Sequence, residues 1–104
     1  MFRACAIALD QSYRVTLAEM CAVACEIGDA PNCNGTIELY LNRKGWSRLP
    51  TPRTTQGRKL QVQQIRHPRA IVHTTSHLTA VVGGVNIDTF DNRHSYVNRV
   101  YVPA

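Results

Sequence analysis

Apolar positions recur at helical spacing in the first half of the chain and alternate in the second. Arg3 to Leu9 is a short apolar run stopped at Asp10-Gln11-Ser12, which reads as a short buried helix. In SYRVTLAEMCAVACEIG, Leu17, Met20, Cys21, Ala24 and Ile27 fall on one helical face. Thr16 and Glu19 offer a capping box there, and Gly28 stands just past the end. After the turn-rich link Asp29 to Gly35, Thr36 is placed to cap a second amphipathic stretch. Ile37, Tyr40 and Leu41 share its face, and Lys44-Gly45 ends it. Trp46 then begins a loop, and residues 47–57, with prolines and many hydroxyl side chains, are expected to be extended and mobile. Arg58 to Arg66 reads as one more short helix, closed by His67-Pro68 because proline disfavours helical geometry in the residue before it.

From Ala70 the pattern becomes strands: Ala70 to Thr74, Ser76 to Val82, Val85 to Phe90 and Val97 to Val102. Leu78, Ala80 and Val82 face one way and His77, Thr79 and Val81 the other. Gly83-Gly84 supplies the positive φ angles of a two-residue hairpin. Helices first and an antiparallel sheet afterwards predict one α+β domain over residues 1–104, with N-terminal helices packed on a small C-terminal sheet. A chain of 104 residues builds one core and is too short for a second.

The longest early apolar run, Ala4 to Leu9, is shorter than a signal-peptide core and far shorter than a membrane span, so a cytoplasmic protein is expected, without a membrane partner. Its four cysteines are then expected to be thiols. Cys21, Cys25 and Cys33 fit no CxxC metal pattern and no local histidine completes a zinc set, so neither a metal nor a cofactor is expected.

Charge changes the picture more. The net charge is +5, and no acidic residue lies between Glu38 and Asp88. Arg43, Lys44, Arg48, Arg53, Arg58, Lys59, Arg66 and Arg69 fall in that interval, eight of the twelve basic side chains. Such clustering points to a positive face and an anionic partner, and it argues against mimicry of DNA, which needs an acidic surface. Arg43, Lys44, Trp46, Arg48, Arg53, Arg58 and Lys59 are the partner-binding candidates, with Trp46 or Tyr40 as a stacking platform if the partner is nucleic acid.

The candidate chemistry lies in SHLTAVVGGVNIDTFD. Hairpin pairing brings His77 close to Asp88 or a near neighbour, the arrangement in which a carboxylate orients an imidazole and favours its protonated form. Three pieces, RACAIALDQSYRVTLAEM, NGT and HPRAIVHTTSHLTAVVGGVNIDTFDNRH, taken in order, resemble the small papain-like cysteine-peptidase proteins of phages and other mobile elements. The resemblance implies a papain-like fold with His77 as the general base and Asp88 as the acid that orients it. That family places its nucleophilic Cys three residues before the Arg that matches Arg3, and this sequence starts at Met1. Cys5 lies five residues beyond the expected position, about 140° around a helix and ~7.5 Å along it. His77 and Asp88 are then vestigial, and the fold is kept for the surface it presents.

Three functions follow. The first is a non-catalytic inhibitor of a host protein or ribonucleoprotein complex, in its concrete form an anti-CRISPR-type protein acting in the host cytoplasm. The second is an active cysteine peptidase or amidase using Cys5 or an upstream Cys. The third is a basic nucleic-acid-binding module, for which charge alone implies weak, salt-sensitive attraction.

Overall fold

The computed structural model describes residues 2–75, 77–87 and 92–103. Three helices, α1 (Phe2–Leu9), α2 (Tyr13–Ile27) and α3 (Asn34–Arg43), precede five strands, β1 (Trp46–Leu49), β2 (Arg69–His73), β3 (Leu78–Val82), β4 (Val85–Ile87) and β5 (Arg99–Pro103). The sheet runs β1-β5-β2-β3-β4, antiparallel throughout. The protein is an α+β domain.

Alternation along the strands decides what covers each face. Trp46, Ile71, Leu78, Ala80 and Tyr101 point toward the helices and pack with Ala4, Cys5, Ala8, Met20, Ile37, Tyr40 and Leu41. Their neighbours Ala70, Val72, Val81 and Val100 point the other way and pack with Val62, Ile65 and Val97. The sheet is therefore a middle layer, with helices on one side and a ribbon of irregular chain on the other.

Several local expectations are met. Gly28 closes α2 at φ 71°, a left-handed cap that costs a glycine nothing. Gly83 and Gly84, at φ 62° and 75°, form the tight turn that pairs Val82 with Val85.

Others are corrected. Ser12, not Thr16, caps α2, accepting from the Val15 N–H at 3.1 Å, while Thr16 is buried and donates to the Ser12 carbonyl. Glu19, freed from a capping role, accepts from Lys44 Nζ (2.9 Å), Tyr40 OH (2.8 Å) and Gln11 Nε2 (2.9 Å), tying α2 to α3. Thr36 lies inside α3 and donates to the Ala30 carbonyl, and Cys33 holds the N-cap position. Trp46 starts an edge strand instead of a loop, because β5 pairs with it from Trp46↔Pro103 to Leu49↔Val100. The expected helix over 58–66 shrinks to one 3-10 turn, Val62–Gln64, because Lys59 and Gln61 before it are held in extended pairings and Ile65 after it is extended.

Candidate binding face

The ribbon opposite the helices begins with a small hairpin. Leu60 N–H donates to the Pro52 carbonyl at 3.1 Å, Thr54 N–H to Arg58 at 2.7 Å and Gly57 N–H to Thr54 at 2.9 Å, with Gly57 at φ 84°. Arg53 and Lys59 are bridged partners, and Arg53 also donates from its guanidinium to the Gly57 carbonyl at 2.9 Å. Arg53, Arg58 and Lys59 are all exposed. Residues 47–57, read in the sequence as a mobile extended loop, are thus a strand end followed by a hydrogen-bonded hairpin.

A second pairing follows. Val97 N–H donates to Leu60 at 2.8 Å, Val62 N–H to Ser95 at 3.0 Å, and Gln61 bridges Tyr96. Pleating sends Leu60, Val62 and Val97 inward against the sheet, so Lys59, Gln61, Tyr96 and Asn98 share the outward side. Lys59 Nζ donates to Asn98 Oδ1 at 2.6 Å, which fixes that side directly. Tyr96 is 59% exposed.

Next to Asn98 the end of β1 and the start of β5 enclose a shallow groove of about 390 Å³, lined by Arg48, Leu49, Pro50, Thr51, Asn98 and Arg99. Thr51 Oγ1 donates to the Asn98 carbonyl at 2.9 Å, fixing one wall. On β2, His73 pairs with Arg99, and its Nδ1 is buried without a hydrogen-bond partner. Burial, and then the Arg99 charge, hold the His73 pKa below its usual value.

The electrostatics divide the molecule. Residues 1–49 hold five basic and five acidic side chains, whereas residues 50–104 hold seven basic side chains against Asp88 and Asp91, so the net charge of +5 belongs to the second half. The three ion pairs among the described residues all involve helix carboxylates: Arg43–Glu26 at 2.6 Å, Lys44–Glu19 at 2.9 Å and Arg48–Glu38 at 3.2 Å. The basic interval that looks continuous in the sequence is broken in space. Arg43, Lys44 and Arg48 are matched by carboxylates that lie earlier in the chain. Arg53, Arg58 and Lys59 have no carboxylate partner among the described residues.

The aromatic candidates change as well. Trp46 and Tyr40, proposed as stacking platforms, are 6% and 2% exposed and belong to the helix-side core. Tyr96 has the exposure they lack. Its signal was present in the sequence as a tyrosine alternating with the apolar Val97, close to Arg93 and Arg99.

Of the peptidase-like residues, His77 stands at the entrance of β3, its carbonyl accepting from the Thr74 N–H at 2.9 Å. Asp88 lies outside the described residues. Cys5 is fully buried between α1 and the sheet, and burial pushes its thiol up to about 12. A thiol held protonated is a poor nucleophile at neutral pH. Among the described residues no three His, Cys, Asp or Glu side chains are grouped to hold a metal ion, and no helix is long and apolar enough to cross a membrane.

Thiol accessibility gives a direct check. With native protein and an aromatic disulfide reagent at pH 7, the exposed Cys25 is expected to react at once and Cys5 only on unfolding. Stoichiometric modification of Cys5 in the folded state, suppressed by His77→Ala, would restore a working Cys-His pair.

Comparison with protein-family models, with curated proteins and with solved structures finds no match to this chain.

Proposed function

We propose that this chain is a non-catalytic binding domain that engages an anionic surface of a larger protein or ribonucleoprotein through the ribbon face. The observation that carries this reading is the charge division: balanced charge in residues 1–49, and the whole net charge of +5 in the half that forms the ribbon and most of the sheet. Exposed, unpaired cations on an ordered backbone attract a polyanion without first breaking internal ion pairs. The protonated, enclosed state of the Cys5 thiol favours binding over acyl transfer. The setting suggested by the resemblance to small phage and mobile-element proteins is inhibition of a host defence complex, an anti-CRISPR-type role.

The test compares two triple variants on an immobilised anionic polymer. Arg53→Gln, Arg58→Gln and Lys59→Gln together are expected to lower the log-log salt slope of retention by roughly two units, at about 0.7 per lost contact. The triple Arg43→Gln, Lys44→Gln and Arg48→Gln is expected to change the slope by less than half as much, because those charges are already paired. Equal losses from both triples would show that net charge alone governs retention and would remove the ribbon face from the proposal.

A further inference from the structure

Tyr96 is an odd residue to leave in water. It is 59% exposed on an otherwise polar outward row, although its backbone is anchored by the Gln61 bridge and by the buried Val97 beside it. The side chain therefore projects from a fixed point. Two residues further on, about 7 Å along an extended chain, Asn98 holds the Lys59 ammonium at 2.6 Å and forms part of the groove with Arg48 and Arg99. The Tyr96 ring thus stands two residues from the Asn98 that holds the Lys59 ammonium, and Arg99 follows in the groove beyond it, while Arg48 is already paired with Glu38.

We infer that this row is a single-stranded nucleic-acid contact, in which a base stacks on Tyr96 and the adjoining phosphates lie against Lys59 and the Arg99 end of the groove. The inference rests on the reading of the ribbon face as an anion-binding surface and names its partner. Stacking on an aromatic platform flanked by cations is the means by which single strands are held without sequence readout, since every base has a π face. An acidic protein would use the cations equally well but would gain little from the ring. A duplex would meet the cations while its bases stayed stacked among themselves, out of reach of Tyr96. Both RNA and DNA single strands carry the required chemistry, and the 2′-hydroxyl distinguishes them only where a donor or acceptor meets it.

The experiment titrates fluorescein-labelled twelve-nucleotide single strands, one RNA and one DNA, with the full chain at fixed salt, and poly-glutamate in parallel. Tyr96→Ala is expected to weaken binding of the oligonucleotides by about tenfold at an unchanged salt slope, and Tyr96→Phe to bind as the parent does. Lys59→Gln and Arg99→Gln are expected to lower the slope by roughly 0.7 each. Poly-glutamate binding should ignore Tyr96→Ala. Tm values within a few degrees of the parent would exclude misfolding, which the exposure of Tyr96 makes simple to satisfy.

Three outcomes overturn the inference. If Tyr96→Ala leaves oligonucleotide affinity intact while the cation variants weaken it, the ribbon face binds anions but the ring takes no part. If poly-glutamate binds and neither oligonucleotide does, the partner is an acidic protein and only the broader reading stands. If neither polymer binds the parent protein, that broader reading falls too.

Discussion

Tyr101→Ala is expected to unfold the domain or to lower its Tm by about 15 °C or more. Tyr101 is 2% exposed on β5, a central strand, between Arg48 on β1 and Ile71 on β2, and its ring fills the space beneath the helices among residues such as Ile37, Leu41 and Trp46. Removing a large buried aromatic ring costs about 3–5 kcal/mol, because strands held at fixed spacing cannot close the cavity. In a domain of this size each 1 kcal/mol is worth roughly 4–8 °C. Thermal melting by circular dichroism measures it, with Tyr101→Phe as the variant that keeps the volume. A loss below about 5 °C would mean that the helices do not pack where described. The contrast with Tyr96, five residues upstream, is the useful part: one tyrosine holds the fold and tolerates no truncation, while the other is dispensable to it.

The second large effect lies in the helix layer. Glu19→Ala is expected to cost about 2 kcal/mol, a figure discounted for the 38% exposure of its side chain. The carboxylate is the hub for Lys44, Tyr40 and Gln11, and its removal leaves the O–H of the buried Tyr40 without its acceptor, while Gln11 keeps its contacts to Thr16 and Tyr40. The hydrogen bond from Lys44, followed by those from Tyr40 and Gln11, holds the Glu19 pKa below its ordinary value near 4.5. The unfolded chain therefore binds a proton at Glu19 more readily than the folded one. Its contribution is fully present above the unfolded pKa and is lost as pH falls through the folded one. The acid limb of the stability curve should be shallower in Glu19→Ala than in the parent. Parallel acid limbs, measured as Tm from pH 6 down to pH 3, would assign the stabilisation of the helix layer elsewhere.

Legibility followed the range of the interactions. The α2 helix, its glycine cap and the Gly83-Gly84 hairpin were readable because periodicity and turn chemistry act over a few residues. Trp46–Leu49 was not, because a four-residue edge strand is specified by a partner more than fifty residues later, Arg99–Pro103. The stretch 58–66 carried enough helix formers to suggest a helix, yet its Leu60, Val62 and Ile65 serve a sheet face and a ribbon that no local pattern announces. The binding candidates failed for the same reason. Sequence order put Arg43, Lys44 and Arg48 into one basic run with Arg53, Arg58 and Lys59, while folding placed three carboxylates beside the first group. Trp46 and Tyr40 were offered as stacking platforms because they lie in or beside the basic interval, and nearness in sequence does not tell a buried ring from an exposed one.

The division of charge between the two halves has a kinetic consequence. A body neutral on one side and positive on the other behaves as an electric dipole, and a polyanion turns it before contact. Encounters are thus biased toward ribbon-first arrival, which removes much of the rotational search that limits association between proteins. The torque acts over roughly a Debye length, about 10 Å at 0.1 M salt. Added salt should slow capture more than it hastens release, and a partner surface recessed by more than that distance should lose the benefit altogether.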